Sequence, residues 1–304
     1  MNRRKFVKGG LFQLALGYLN TLPVGGVWDD DTVHVTILHT NDVHSRIDPF
    51  PMDGGRNAGQ GGVARRASII DDIRTSSSNV LLFDAGDIFQ GTPYFNMFGG
   101  ELEIKLMSQL GYSASTMGNH DFDAGIEGFV KQFPHANFPF VVSNYDFRDT
   151  LLKDKVRTNM VFEFEGYKIG VYGLGIELRG LVAPENYGDV RYLDPCTQAR
   201  RYERFLRDEL ECDFILCLSH LGYKYESSKV SDVVLAQCTE CTDLIIGGHT
   251  HTFMQEPVIE KNLNGNPVII NQVGFAGILL GRIDLFFDRS KRRKRMDGVN
   301  LMVS

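Results

Sequence analysis

What most restricts this chain is where its apolar runs stop. Short β-branched runs at 33–39, 79–83, 140–143, 168–172, 214–218, 244–246 and 268–270 alternate with helical spacing at 63–74, 101–110, 126–131, 197–210 and 229–237. That alternation is the pattern of an α/β domain, in which ligands bind beyond the carboxyl ends of the strands. Several of these runs end in a cluster of Asp, Asn or His. The clusters are His39-Thr-Asn-Asp42-Val-His44, Asp84-Ala-Gly-Asp87, Gly118-Asn119-His120-Asp121-Phe-Asp123, Ser219-His220-Leu-Gly222 and Gly247-Gly-His249-Thr-His251, and they hold six of the eight histidines.

Any one of these side chains could be a hydrogen-bonded structural residue, and Asp84 before Ala-Gly could simply turn the chain. Five such clusters at strand ends are harder to explain that way, because buried charges are costly unless paired or metal-bound. On an extended segment alternate side chains share a side. Asp42 with His44, and His249 with His251, are therefore expected to approach cations in pairs. Glycines before Asp87, Asn119 and His249 would allow tight turns around the ions. Carboxylate, imidazole and amide oxygen together suit Mn²⁺, Zn²⁺ or Fe²⁺ better than Ca²⁺ or a thiolate site.

The rest of the chain bounds the reading. With 304 residues, 43% of them hydrophobic and 23% charged, it can bury a large core, and residues 31–304 read as one catalytic domain. The net charge of −6 argues against a nucleic-acid polymer as partner, whereas bound cations would let an acidic enzyme take anionic substrates. The basic run Arg289-Ser-Lys291-Arg292-Arg293-Lys294-Arg295 reads as a solvated tail or turn, with a membrane or partner contact as the alternative. The glycine- and proline-rich stretch 48–62 reads as a surface loop, and its place after the first cluster makes a lid the alternative.

Residues 1–30 carry Arg3-Arg4-Lys5-Phe6-Val7-Lys8 and a weakly apolar stretch, which resembles a bacterial twin-arginine export leader and implies a periplasmic or cell-envelope location. The alternative is a disordered basic terminus. Five cysteines, Cys196, Cys212, Cys217, Cys238 and Cys241, leave an odd count, and Cys238-Thr-Glu-Cys241 stands without a second ligand pair for zinc. Buried thiols are expected, with a disulfide formed after export as the alternative.

In this order the clusters resemble the calcineurin-like metallophosphoesterases. The wording of Asp84-Ala-Gly-Asp-Ile-Phe-Gln-Gly-Thr92, Gly118-Asn-His-Asp-Phe-Asp123, Gly247-Gly-His-Thr-His-Thr252, Gly61-Gly-Val-Ala-Arg-Arg66 and Gln272-Val-Gly-Phe-Ala-Gly-Ile-Leu-Leu-Gly-Arg-Ile-Asp284 is similar to the 5′-nucleotidase branch. The resemblance implies an α/β, four-layer α/β/β/α sandwich of two mixed sheets between helices. It implies two divalent cations, one held by Asp42, His44 and His251 and the other by Asn119, His220 and His249, with Asp87 bridging. His120 and Asp123 would be the catalytic dyad, with Asn119 also meeting charge in the transition state.

Two cations about 3.5–4 Å apart would clamp phosphate oxygens and activate water for in-line attack on phosphorus. The substrate expected is a small phosphate monoester, most often a 5′-nucleotide. The alternatives are a 2′,3′-cyclic phosphodiesterase/3′-nucleotidase, a nucleotide-sugar pyrophosphatase, or a metal-binding subunit that needs another chain. Long 5′-nucleotidases have a second domain that stacks the base. With 53 residues after His251 that domain is expected to be absent here, leaving the chain promiscuous or completed by a separate chain resembling it.

Overall fold

A computed structural model describes residues 32–288 and 293–304; the leader at 1–30 lies outside them. The first sheet runs β13-β12-β1-β2-β3 and the second β10-β11-β9-β8-β6-β5, where β1 is Thr32–Thr40, β2 Val80–Asp84, β3 Ala114–Ser115, β5 Asn159–Phe164, β6 Tyr167–Leu174, β8 Phe214–Ser219, β9 Leu244–Ile246, β10 Val258–Lys261, β11 Pro267–Asn271, β12 Leu279–Asp288 and β13 Arg293–Met302. Both sheets are mixed. β1, β2 and β3 are parallel while β12 and β13 run antiparallel, and β6, β8, β9 and β11 are parallel between antiparallel edges β5 and β10. A two-stranded ribbon, β4 (Tyr145–Asp146) with β7 (Arg191–Tyr192), lies apart. The helices are α1 (Val63–Ser76), α2 (Pro93–Phe98), α3 (Glu101–Leu110), α4 (Gly125–Val130), α5 (Pro184–Tyr187), α6 (Pro195–Arg204) and α7 (Asp232–Cys238).

Period-two alternation turns two sheets into four layers. Val33, Val35 and Ile37 of β1 face Ile169 and Val171 of β6 and Phe214, Leu216 and Leu218 of β8 across one buried core. Leu38 and Leu82, on the other face, pack with Ile70 and Ile73 of α1 and Ile104 and Met107 of α3. Tyr172, Ile215 and Cys217 pack with Ala199 of α6 and with Leu235 and Ala236 of α7. Each fully buried aliphatic side chain is worth about 1.5–3 kcal/mol, so this middle core locks the two sheets face to face. Helix starts follow local chemistry: Asp194 Oδ1 accepts from Thr197 N at 2.8 Å before α6, with Pro195 as its first residue.

Two expectations are corrected, and that for the cysteines holds in part. Segment 140–143 makes only isolated bridges, Ser115 to Phe140 and Val141 to Arg157, and forms no strand. Of the basic run, Arg293–Arg295 open β13 and pair with β12 instead of forming a tail or turn, while 289–292 lie outside the described residues. Cys196 and Cys238 form a disulfide with Cα atoms 5.9 Å apart, leaving Cys212 and Cys217 buried and Cys241 half-buried as free thiols.

Candidate metal centre

Sheet geometry continues past the strand ends and assembles the site. The parallel register pairs Thr40 with Asp84, and the backbone then keeps step: Asp42 N donates to Gly86 O (2.9 Å), His44 N to Asp87 O (3.1 Å) and Ser45 N to Ile88 O (2.8 Å). Asp42 and His44 therefore stand beside Asp87. From the second sheet, His220 follows β8 and His249 and His251 follow β9. His220 reaches across, its Nδ1 donating to Ala85 O at 2.6 Å.

Asp42, His44 and His251 form one group of converging donor atoms, and Asp87, His220 and His249 a second. In the first, His251 Nε2 lies 3.3 Å from Asp42 Oδ1 and 3.0 Å from His44 Nε2. In the second, His220 Nε2 is 3.1 Å from Asp87 Oδ2, and Asn119 Oδ1 is 2.9 Å from His249 Nδ1. Asp87 Oδ2 is also 3.9 Å from His44 Nε2, so this carboxylate lies between the groups. His120 Nδ1 donates to Asp123 Oδ2 at 2.9 Å, and His120 N donates to Asp87 Oδ1 at 2.8 Å. All nine side chains named from the sequence as site residues thus come to one place.

The means of pairing differs from the expected alternation. Asp42, His44, Asp87, His249 and His251 have φ of 49°, 49°, 58°, 71° and 50°. The ligand pairs converge through left-handed turns and not along extended strands. Glycine is needed at two points for different reasons. Gly86 takes φ 88°, and at Gly118 a Cβ would lie 2.2 Å from Asp87 Oδ1 and 2.6 Å from His220 Nε2.

The donor set fits divalent cations, judged by its own atoms. His220 Nε2 is fully buried yet makes no aligned hydrogen bond among the described residues. His44 Nδ1 donates to Phe89 O at 3.1 Å, so both rings present an Nε2 lone pair inward. Burial lowers His249 to about 4 and also lowers His44, keeping each imidazole in the neutral form that metal binding needs. At His220 burial acts downward as well, but the Asp87 and Asp42 carboxylates overcome it and raise the ring to about 10, so the two carboxylates favour positive charge at this point.

Residues given no role from the sequence hold this arrangement. Asp121 accepts from Asp87 N (3.0 Å), Ile88 N (2.9 Å) and Gly118 N (2.8 Å), tying the turns after β2 and β3 together; burial pushes its carboxyl up to about 7. Gln272 Nε2 donates to Gly248 O at 2.7 Å and its Oε1 accepts from Thr250 and Thr252, which fixes the turn bearing His249 and His251. Asn41 donates to Asp42 Oδ2 at 2.6 Å. Asp84 turns the chain as expected, its Oδ1 accepting from Gly86 N at 2.9 Å. The sequence signal available for Asp121 and Asn41 was their place inside ligand clusters.

Residues 35–253 match the family model described as Calcineurin-like phosphoesterase. A snake venom 5′-nucleotidase of Gloydius brevicauda is 32% identical over 88% of this chain and 49% of its own length. Among solved structures, the 5′-nucleotidase precursor of Thermus thermophilus superposes with a TM-score of 0.77 at 30% identity, over 89% of this chain and 54% of the other. The calcineurin-like phosphoesterase YfkN of Bacillus subtilis does so with 0.71 at 25% identity, over 90% and 91%. The chain spans about half the length, or less, of the curated relatives it matches.

Proposed function

The chain belongs to the calcineurin-like phosphoesterase family, and from that premise we propose that it hydrolyses phosphate monoesters, nucleoside 5′-monophosphates above all, at a centre of two divalent cations. The observation that carries this reading is Asp87, a buried carboxylate within 3.1 Å of His220 Nε2 and 3.9 Å of His44 Nε2, between two triads of donors. When bound, such cations polarise phosphoryl oxygens and lower the pKa of water. Asp42, His44 and His251 would hold one, Asn119, His220 and His249 the other, and Asp87 both.

The chain's remaining groups supply orientation and a proton. The hydrogen bond to Asp123 is the largest cause raising the His120 pKa, with burial opposing it, and this favours the imidazolium. Asp123 occupies Nδ1, which leaves the Nε2 proton to meet charge on the departing oxygen. The backbone N–H of His120 grips Asp87, so this acid is positioned by the same carboxylate that joins the triads. No serine or cysteine nucleophile is required.

The nucleotide part of the proposal is supported by relatives called 5′-nucleotidases. A broader second reading, hydrolysis of several nucleotide phosphoesters, is favoured by likeness to a protein called trifunctional nucleotide phosphoesterase, 30% identical over 92% of this chain. The Cys196–Cys238 disulfide supports a further proposal, that the protein works in an oxidising compartment such as the periplasm. The test is phosphate release from AMP and nitrophenyl phosphate by protein stripped with chelator and then given Mn²⁺, Zn²⁺ or Fe²⁺. Activity should vanish and return with the cation. Turnover that survives complete stripping, or none with any of the three ions, overturns the reading.

A further inference from the structure

The donors described above account for a phosphoryl group and for nothing attached to it. Beside them lies a small apolar cluster, outside the three principal cores, that includes Phe50 and Phe275. Phe275 stacks on His251 with ring centroids 5.2 Å apart and planes inclined by 16°. Phe253 meets Phe275 edge to face at 5.7 Å, and Phe50 meets it likewise at 6.4 Å. Two ring contacts therefore lead from a candidate ligand to Phe253, which is 43% exposed.

A single exposed phenylalanine is ordinary. This one is unusual in how it is seated. A Cβ at Gly274 would lie 2.3 Å from the Phe253 ring, so the ring rests directly on bare backbone at a residue with φ 73°. Phe253 also pairs with Val273 in an antiparallel bridge, and Gly274 N donates to Thr252 O at 2.9 Å. The ring is thus braced from below and from one edge, while 43% of the residue faces solvent.

Resting on the phosphomonoesterase reading above, we propose that the bare face of Phe253 is the stacking platform for the planar ring of the leaving group, the base of a nucleoside monophosphate. A fixed aromatic face next to a phosphate site is what a base joined to its ester through one sugar requires, and base-on-aromatic stacking is worth about 1–3 kcal/mol. Every base has a π face. Stacking therefore selects rings over ringless esters without choosing one base, so a preference for nucleotides can arise within these residues.

The test uses the full chain loaded with Mn²⁺ and compares AMP and UMP with glycerol 2-phosphate. Phe253→Leu keeps apolar bulk and removes the ring. It should lower kcat/KM for both nucleotides by about 10-fold or more, mainly through KM, while bound metal and turnover of the ringless ester do not follow. Phe253→Tyr should restore the nucleotide values. An equal change on all three esters, or none on the nucleotides, overturns the platform. Quenching of ethenoadenosine fluorescence by wild type but not by Phe253→Leu tests stacking without turnover. If wild type hydrolyses none of the esters yet quenches the probe, the phosphomonoesterase reading fails while the platform stands; absence of quenching by wild type overturns the platform.

Discussion

The two ligand triads share their chemistry and differ in depth. Side chains of His220 and Asp87 are 0% and 2% exposed, with His249 half-buried beside them, whereas His44 and His251 are 11% and 40% exposed around a buried Asp42. Carboxylate and imidazole kept from water need a proton or a cation between them, and in the deeper triad His220 Nε2 is buried without an aligned hydrogen bond among the described residues to serve instead. The open triad can be hydrated. Depth therefore distinguishes the two donor groups: His220 and Asp87 are shut from solvent, whereas His251 opens to it.

Breaking the group common to both triads should have the largest effect. Asp87→Asn is expected to abolish turnover and empty both triads, because this carboxylate offsets the repulsion of two dications; elemental analysis with a turnover assay reads it. Two ions at wild-type occupancy with full activity would remove Asp87 from its bridging place.

His120→Ala spares both triads and attacks only the proton supply. Turnover should fall by about 10²–10⁴-fold with metal content unchanged, and less for nitrophenyl phosphate, whose leaving group needs less help. A uniform loss across leaving groups would assign His120 to phosphate binding instead.

A smaller effect sharpens the contrast in depth. Asp121→Asn weakens the brace behind Asp87, the carboxylate common to both triads, and should reduce cation affinity by about 10–100-fold, the usual scale for supporting residues. Chelator titration of the variant should show both phases moved, the one assigned to the deeper triad further, because His220 Nε2 lies 3.1 Å from Asp87 Oδ2. A titration unchanged from wild type would remove Asp121 from its supporting place.

The smallest effect concerns a carboxylate that is partly buried but fully partnered, as a reference for the site. Asp284 lies among His34 (2.9 Å), Arg282 (2.7 Å) and Thr36 (2.7 Å). Burial acts upward on its pKa, but these bonds prevail and lower it to about 2. Since its folded value lies below the unfolded one, the stabilisation is present above about pH 4 and is lost as pH falls toward 2, an amount of about 2 kcal/mol. Asp284→Ala should cost that much at pH 7 and almost nothing near pH 2 in denaturant melts. A cost independent of pH would refute the linkage.

Much of this was legible beforehand, and the gaps have physical causes. Strands β1, β2, β6, β8, β9 and β11 stood out as short apolar runs rich in β-branched residues, β8 and β9 being buried on both faces, and helices α1 and α3 by their helical spacing. β5, β10 and β13 did not, being edge strands with exposed or charged positions. α2, in a run of aromatics and asparagine, has no fully buried side to betray it. Helix 229–237 begins at Asp232, because Ser231 caps it and holds Val234 N at 3.4 Å. The nine side chains of the centre lie in the clusters, and the family resemblance singled them out there. Their left-handed backbone could not be read there, since φ depends on turns that only the paired strand ends impose, and Asp121 and Gln272 act through backbone amides that no spacing reveals.

That backbone has an evolutionary consequence. A non-glycine residue in the left-handed region costs on the order of 1 kcal/mol, and five ligands share the condition. Together they offset a sizeable part of the roughly 5–15 kcal/mol by which a domain stays folded. Selection for stability alone would replace each with glycine or asparagine. Asp and His in these turns therefore carry a cost in stability that only the chemistry of their side chains can offset.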